Sequence, residues 1–504
     1  MPSYLYDRLS AQDNAFLLWE TPNLHMHVST AQIYAAGPLR RADGGIDFEA
    51  LRDGIAGALP RIPRYRQRLQ WIPFERHAVW VDDPHFDLAY HVRHTSLPRP
   101  GSDAQLKALA ARITAQQLDR NRPLWEIWVV EGLSGDRFAL VSKIHHCMID
   151  GSSGVGIADI LMSTDPDARP PAPPRFLPRP LPSARELLGD ALFRRLGLPL
   201  VALRGIRALR REGEELRAEL SARLRALAET AGWGARPPSR TPINRPVGPH
   251  RKVDWIEFSL ADVRAVRKAL GCTVNDVVLA TVTGALRSFL ARRQVRPAEI
   301  DFRVSAPVSV RGADERDRLG NRVSSWIVPL PLHESEPLAQ LAAIHEQTRE
   351  LKTSRQALGI ETINAIAEWT TSSLLSLGAR ASSRAANTIV TNVPGPQHPL
   401  YLLGAEMLAM APMVPLLEEM GLGIALISYN GRLFWGFNAD PDQLPDLADF
   451  AGEVREAFAR LATAAGVAVG DERVVNLDPQ AQPDRRSRRR QAPRAAASSA
   501  GPRS

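Results

Sequence analysis

The stretch His145-His146-Cys147-Met148-Ile149-Asp150-Gly151 directly follows an apolar run, Phe138 to Ile144, that predicts a β-strand. A Ser/Gly-rich turn and a predicted helix over Gly156 to Met162 come after it. A histidine at a strand end can be held rigidly with one ring nitrogen facing a cleft. Because neutral imidazole takes a proton from a hydroxyl near neutral pH, His146 is the candidate general base.

Other interpretations of this motif have to be weighed against catalysis. Paired histidines at a strand end often only pack or face solvent. Zinc requires three or four ligands, and neighbouring side chains on a strand point to opposite faces, so no metal site is predicted here. By the same alternation Cys147 is expected to point away from His146 and to fill the core rather than act as a nucleophile.

The last two residues of the motif have expected supporting roles. Gly151 lets the backbone turn where a side chain would clash. Asp150 is expected to fix the local turn by pairing with an arginine, for which Arg311 and Arg122 are rival candidates.

Hydrophobic periodicity predicts two α/β units, at residues 1–165 and 251–474. The first contains helices over Asp47 to Leu59 and Leu106 to Leu118, and strands over Leu124 to Val130 and Phe138 to Ile144. The second contains a helix over Thr273 to Leu290. Its predicted strands are Val253 to Phe258, Phe302 to Val310, Ser325 to Leu330, Asn387 to Val393, Gly423 to Tyr429 and Arg432 to Phe437.

Two further segments differ in composition from these units. Residues 166–250 are predicted to be a proline-rich and basic helical connection. Within it, residues 191–211 carry six arginines and no acid, which fits either a basic helix on a lipid surface or a helix packed on the protein. Residues 475–504 are expected to be a disordered Arg-rich tail.

Charge and cysteine content exclude several classes of protein. The net charge is +8, but residues 485–504 contribute seven arginines and no Asp, Glu or Lys, which leaves residues 1–484 at +1. No specific nucleic-acid binding is therefore expected.

Two cysteines exclude a disulfide scaffold. No secretory signal or long apolar run is found, so we expect a cytoplasmic protein with at most peripheral contact with the inner membrane or lipid inclusions.

An ordered set of motifs resembles the bacterial wax ester synthase/diacylglycerol acyltransferase family, within the superfamily of CoA-dependent acyltransferases. The strand-end motif His145 to Gly151 is similar to the active-site motif of that superfamily. The segments that narrow the resemblance are Leu9 to Asp13 with Met26 to Val28, Pro123-Leu124-Trp125, Asn275-Asp276, Pro307 to Arg311 with Leu319 to Asn321, Thr391 to Pro396, and Ser428 to Gly431 with Gly436 and Asp440.

The resemblance implies a fold and an activity. The fold would be two chloramphenicol-acetyltransferase-like α/β sandwiches with a tunnel at their interface. The activity would be transfer of a fatty acyl group from acyl-CoA to diacylglycerol or a long-chain alcohol, with His146 as base, no acyl-enzyme, and no cofactor besides acyl-CoA as co-substrate. His145 and Asp150 would be structural, and Gly151 would support the site.

The remaining motif residues have less definite roles. Asn275 is a candidate oxyanion donor or orienting residue, or alternatively a helix N-cap. The tunnel or interface candidates comprise one strand start and one predicted rigid turn, namely Pro123, Leu124 and Trp125, and Asn392, Pro394 and Gly395.

Two alternative functions stay open. One is a condensation-type acyltransferase that uses carrier-bound donors. The other is a non-catalytic lipid-surface protein with a vestigial site, against which the intact His146, Asp150 and Gly151 argue.

Overall fold

The computed structural model describes residues 6–148, 161–169, 171–172, 175–193, 237–309, 323–353 and 385–469. Within these ranges the chain forms two six-stranded mixed sheets and one three-stranded sheet, with helices packed against them. This is the mixed α/β architecture that the sequence predicts. The Arg-rich part of the 191–211 segment beyond Phe193 and the tail after residue 469 lie outside the described residues.

Before residue 149 the chain contains seven strands and four α-helices among the described residues. They are β1 Asp7–Arg8, α1 Ala11–Trp19, β2 His27–Ala35, α2 Phe48–Ala58, β3 Gln67–Ile72, β4 His77–Asp82, α3 Leu88–His91, β5 Val92–Ser96, α4 Asp103–Ala115, β6 Trp125–Leu133 and β7 Arg137–His145. The proline-rich segment from 171 to 183 is irregular where it is described, and residues 184–193 are helical.

The second half supplies the other strands and the longest helices of the described ranges. They are β8 Lys252–Ser259, α5 Leu260–Leu270, α6 Val274–Arg292, β9 Phe302–Ser309, β10 Val323–Leu330, α7 Pro337–Thr353, β11 Thr388–Pro394, β12 Tyr401–Leu402, β13 Ala405–Met413, β14 Leu422–Tyr429, β15 Arg432–Ala439 and α8 Leu447–Ala464. Every strand predicted in this half is confirmed within two residues at each end.

Local capping explains where the predicted helices begin. Asp47 accepts a hydrogen bond from the backbone N–H of Ala50, which confirms it as the N-cap of α2. Helix α4 begins at Asp103, three residues before the predicted start. The reason is a capping box in which Ser102 and Gln105 each satisfy the other's backbone N–H.

Two strands from the second half of the sequence complete the first large sheet and so link the two large sheets. The order of the first sheet is β12-β13-β2-β7-β6-β5, and that of the second is β10-β9-β11-β14-β15-β8. Strands β12 and β13 belong to the second half of the sequence, yet β13 pairs antiparallel with β2, from Met407 opposite Tyr34 to Met413 opposite Ser29. The sequence analysis did not predict β13. The domain boundaries at 165 and 250 stay a prediction, and the first sheet is completed from beyond them.

Strand β13 also lies directly against the second sheet. The Tyr429 hydroxyl, on β14, donates to the carbonyl oxygen of Met407 at 2.9 Å. At Gly436 of β15 the two backbones are so close that a Cβ there would overlap the carbonyl oxygen of Pro412. Position 436 therefore requires glycine, because β13 crosses β15 at this point without room for a side chain.

Helix α6 is, among the described residues, the one helix long and apolar enough to cross a membrane. In the structure it packs against α7 and α8, and twelve of its residues are buried in the core of the second half. Its apolar character is accounted for by this burial.

We predict that Gly436→Ala destabilises the crossing of β13 over β15. The added methyl group must displace the Pro412 carbonyl, so the free energy of unfolding should fall by roughly 2–4 kcal/mol in urea titrations. The matched control is Gly452→Ala in α8, where an added Cβ meets nothing within 4 Å. That variant should gain roughly 0.5–1 kcal/mol, because alanine favours a helix interior. Equal stability of the two variants would contradict this role for Gly436.

Candidate active site

His146 occupies the first position of a tight turn after β7. Strand β7 ends at His145, and His146–Met148 form a single 3₁₀ turn. The backbone N–H of His146 donates to the carbonyl oxygen of Met26 at 2.7 Å, and its ring lies 4.2 Å from the Phe16 ring between centroids. The side chain is partly exposed, while Nδ1 is buried without a hydrogen-bond partner in the described part of the chain.

The turn corrects one prediction made from the sequence. His145, His146 and Cys147 were expected to alternate along an extended chain, but the backbone leaves the sheet at His146, so the alternation argument fails. Cys147 is nevertheless buried, and burial raises the pKa of its thiol well above the usual value. A buried thiol that stays protonated is a packing residue rather than a nucleophile.

His145 holds the turn that carries His146. Its Nδ1 accepts the backbone N–H of Cys147 at 3.1 Å, so the proton of the neutral ring is on Nε2. Nε2 lies 3.2 Å from Oε1 of Glu20. The side chain is buried, and its ring packs edge to face against His27, its cross-strand partner on β2.

Glu20 is the centre of a buried polar cluster that the sequence analysis missed. Oε1 accepts the backbone N–H of Met26 at 2.9 Å and lies 3.5 Å from Nε2 of His27. Oε2 accepts from Arg120 at 2.7 Å. The carboxylate thus fixes the loop whose Met26 carbonyl binds His146. The signal for this cluster in the sequence is an acidic residue, Glu20, six positions before the Met26-His27-Val28 motif.

The cluster determines the charges around the site. Burial by itself would raise the pKa of Glu20, but the contacts with His145, His27 and Arg120 lower it well below its ordinary value, so Glu20 is ionised. Burial, and then the proximity of His145, lowers the pKa of His27 well below normal and that of His146 to about 4. His146 is therefore neutral at pH 7, the form that can accept a proton.

Pro123-Leu124-Trp125 lies beside the end of β7. The carbonyl oxygen of Leu124 accepts the backbone N–H of His145 at 3.0 Å. Trp125 is buried and donates from Nε1 to the carbonyl of Tyr65 at 2.8 Å, while its ring stacks on His91. The expected packing of Trp125 is confirmed, and a role for this motif in a tunnel stays a prediction.

Asn275 is not the N-cap of helix α6. The cap is Thr273, which forms a capping box with Asp276. Asp276 is held further by Thr348 at 2.7 Å and by Nδ1 of His345 at 2.8 Å. The exposed Asn275 instead accepts at Oδ1 from Nδ2 of Asn392 at 2.8 Å. This bond joins two of the predicted site motifs and leaves the Asn275 N–H groups as donors.

The predicted turn at Asn392 to Pro396 is wrong in its first half. Asn392 and Pro394 belong to β11, and only Gly395 and Pro396 leave the sheet. Within the described residues, β11 beyond residue 389 pairs with β14 alone, an edge position at which a sheet tolerates proline. Gly395 follows because a Cβ there would overlap the carbonyl oxygen of Ser428.

Three predicted residues, Asp150, Gly151 and Arg311, lie outside the described residues. Arg122 is described, and its guanidinium lies 4.0 Å from the centre of the Tyr90 ring and 3.5 Å from Asp119. The partner of Asp150 stays a prediction.

Solved structures of known proteins share this fold. The wax ester synthase/diacylglycerol acyltransferase from Marinobacter aquaeolei VT8 matches with a TM-score of 0.63 and 26% identity, over 91% of this chain and 100% of the other. The first condensation domain of the calcium-dependent antibiotic synthetase matches with a TM-score of 0.58 over 93% of this chain and 100% of that domain. At 17% identity this second likeness concerns the fold alone. The fold is that of the acyltransferases of the chloramphenicol-acetyltransferase type.

Sequence comparison narrows the class to one family. The wax ester synthase/diacylglycerol acyltransferase catalytic domain matches residues 9–278, and the C-terminal domain of the same family matches residues 319–462. A probable diacylglycerol O-acyltransferase of Mycobacterium tuberculosis, tgs1, is 32% identical over 465 residues, which cover 90% of this chain and 96% of the relative. A second, putative one from that species is 37% identical over 409 residues, 78% and 84% of the two chains. The chain belongs to the wax ester synthase/diacylglycerol acyltransferase family.

We predict that Glu20→Gln destabilises the fold in a pH-dependent way. The folded-state pKa of Glu20 lies below its ordinary value of 4.5, so its stabilising contribution is present above that pH and is lost as the pH falls below it. In urea titrations the variant should be less stable by roughly 3–5 kcal/mol at pH 7.5, and the difference should shrink at pH 4.

The control for Glu20→Gln is Glu299→Gln. Glu299 pairs with Arg296 at 3.0 Å on the surface, with both side chains mostly exposed. Its replacement should change stability by no more than about 0.5 kcal/mol at either pH. A Glu20→Gln difference that stays constant from pH 7.5 to pH 4 would argue against an ionised, stabilising Glu20.

Proposed function

We propose that this enzyme transfers a fatty acyl group from acyl-CoA to diacylglycerol or a long-chain alcohol, giving triacylglycerol or wax ester. The observation that carries the proposal is the geometry of His146, a neutral histidine locked at a strand end by the Met26 carbonyl and by the Glu20–His145 contact. Family membership supports the acyl chemistry, and the names of the mycobacterial relatives support diacylglycerol as acceptor.

The proposed reaction is direct, with no acyl-enzyme and no cofactor besides the acyl-CoA co-substrate. Nε2 of His146 takes the proton of the acceptor hydroxyl as its oxygen bonds to the thioester carbonyl carbon. The tetrahedral oxyanion collapses, the C–S bond breaks, and the CoA thiolate receives the proton from His146. Asn275 is the proposed oxyanion donor, and such a donor lowers the barrier by about 3 kcal/mol.

Glu20 would stabilise the charge that forms during this reaction. His146 becomes positive when it takes the proton, and the His145 ring lies between it and the ionised Glu20. A fixed anion near the developing imidazolium favours the transition state over the neutral ground state. The low pKa of His146 also means that it releases the proton readily to the thiolate.

The rival donor is an acyl group bound to a carrier protein, as in condensation domains. The likeness to those domains is one of fold, and the starter condensation domain of the rhizomide synthetase, which matches with a TM-score of 0.56, is itself described in complex with C8-CoA. Free acyl-CoA is therefore the first donor to test.

We expect purified enzyme to release CoA from palmitoyl-CoA only when dioleoylglycerol or hexadecanol is present, and His146→Ala to lower this rate at least about 100-fold. The assay is thiol titration with product analysis of the lipid phase. His333→Ala is the matched control, because His333 is a mostly exposed histidine; it should leave the rate unchanged. Full activity of His146→Ala would refute the mechanism, and turnover only with carrier-bound donor would favour the rival.

We further propose a cytoplasmic enzyme that makes peripheral contact with a membrane or lipid-inclusion surface. Support comes from exposed apolar side chains on the three-stranded sheet, whose order is β1-β4-β3, and on residues 175–193; this set of side chains is called the apolar patch. The 184–193 helix packs on this sheet through Leu187 and Ala191. Among the described residues, six of the eight large apolar side chains that remain exposed lie on the sheet or on 175–193. They are Trp71, Phe74, Leu177, Leu181, Leu192 and Phe193.

Phe74 is the most exposed of these side chains. It stands at the tip of the β3–β4 hairpin, 96% exposed, with φ at 64°, a backbone conformation that bulky residues rarely adopt. The chain that follows Phe193 carries six arginines and no acid up to residue 211, which suits an anionic lipid surface.

We predict that the double variant Phe74→Ser/Phe193→Ser binds vesicles of equal phosphatidylglycerol and phosphatidylcholine at least about tenfold more weakly in flotation assays, because each buried aromatic ring contributes about 1.5–3 kcal/mol. Leu338→Ser is the control, since Leu338 is an exposed apolar residue of α7 outside the patch. Unchanged flotation of the double variant would exclude the patch as the contact surface.

A further inference from the structure

A cleft of about 700 Å³ separates helix α4 of the first half from residues 249–254 of the second half. The wall on α4 is one helix face, with small residues that keep the cleft open at Ala104, Ala108, Ala111 and Ala115. Its size is that of a small-molecule site. The reaction described above gives no role to this cleft.

Basic side chains surround the cleft. Lys107 and Arg112 project from α4, and Arg251 and Lys252 lie on the opposite wall. Of these four cations, Lys107 pairs with Asp254, the one acidic residue of the lining. The described part of the chain provides no ion pair for the other three. Arg251 donates to the carbonyl oxygens of Gly248 and Asn23, and Lys252 to that of Pro445 at 2.5 Å.

A helix end beside the cleft is neutralised from inside the protein. The C-terminus of α4 would present free carbonyl groups, which repel anions. The buried Lys143 donates to the carbonyls of Ile113 and Gln116 at 3.0 and 2.8 Å, and Gln116 lines the cleft. Among the described residues the cleft therefore keeps three cationic side chains that form no ion pair, and Lys143 covers the helix C-terminus beside them.

The cleft adjoins the catalytic turn through a short piece of chain. Arg251 donates to the carbonyl of Asn23 at 2.5 Å, and three residues later the carbonyl of Met26 accepts from His146. Three residues span about 11 Å at full extension. The pantetheine arm of CoA, which separates the thioester from the phosphates, is longer than this distance and can bridge it.

We propose that this cleft binds the nucleotide end of CoA, with Arg112, Arg251 and Lys252 contacting its phosphate groups while the pantetheine arm runs past Asn23 to His146. The inference rests on the proposed function, because it takes acyl-CoA as the donor. A 3′-phosphorylated adenosine diphosphate carries several negative charges, and three basic side chains in a concave site match it.

The test measures binding and kinetics with the double variant Arg112→Glu/Lys252→Glu, in which both residues are exposed and the core is untouched. Calorimetry should show CoA and adenosine 3′,5′-bisphosphate bound at least about tenfold more weakly than by wild type. The KM for palmitoyl-CoA should rise at least tenfold, while kcat and the KM for S-palmitoyl-pantetheine, which lacks the nucleotide, stay the same.

The control is Arg264→Glu/Lys268→Glu on the exposed face of α5, which changes the net charge equally and should keep wild-type affinity. Wild type should also prefer CoA to dephospho-CoA, and the cleft variant should lose this preference. If wild type binds CoA and the cleft variant binds it equally well, the cleft assignment is wrong while the acyl-CoA function stands. If wild type neither binds CoA nor turns over palmitoyl-CoA, the proposed donor fails together with the cleft.

Discussion

The pairing of β13 with β2 is the constraint on which the molecule depends. It places a strand from late in the sequence beside β2 in the first sheet, and the close approach at Gly436 presses that strand against the second sheet. The two halves therefore cannot separate without breaking a ladder of backbone hydrogen bonds. Because β13 ends opposite Ser29, two residues from His27, the ladder also fixes the end of β2 that faces the catalytic turn.

The second organising element is a buried carboxylate that has several simultaneous partners. Removing Glu20 from water is costly, and the arrangement is stable only because both of its oxygens are engaged, by Met26, Arg120 and the two histidines. The cluster fixes the positions of the groups around His146. His145 is held in one tautomer, the Met26 carbonyl is fixed, and His146 is thereby oriented although its Nδ1 has no hydrogen-bond partner among the described residues.

The sequence predicts those parts of this structure that depend on local pattern. Helix α2 with its Asp47 cap follows from local signals, and so does the strand ending at His145. Strand β13 was missed because its existence depends on pairing with β2 nearly 400 residues away. Glu20 was missed for a similar reason: a single acid in a polar loop shows its role only when His145 and Arg120 are brought to it by the fold. The N-cap of α6 is Thr273, two residues before the predicted Asn275. Thr273 takes this position because its side chain and that of Asp276 each accept the other's backbone N–H.

The junction of the halves suggests how the proposed enzyme would take two substrates. On the α4 side the cleft is lined by alanines, and the ion pair of Lys107 with Asp254 joins the two halves beside it. Arg251 contacts the loop that carries Asn23, so charge recognition in the cleft and orientation of His146 act on the same short segment. An anion seated against Arg251 would stiffen that loop from the side opposite Glu20. If the cleft binds the donor as proposed, donor binding and the positioning of His146 would be mechanically linked, whereas the hydrophobic acceptor would need a separate route to His146.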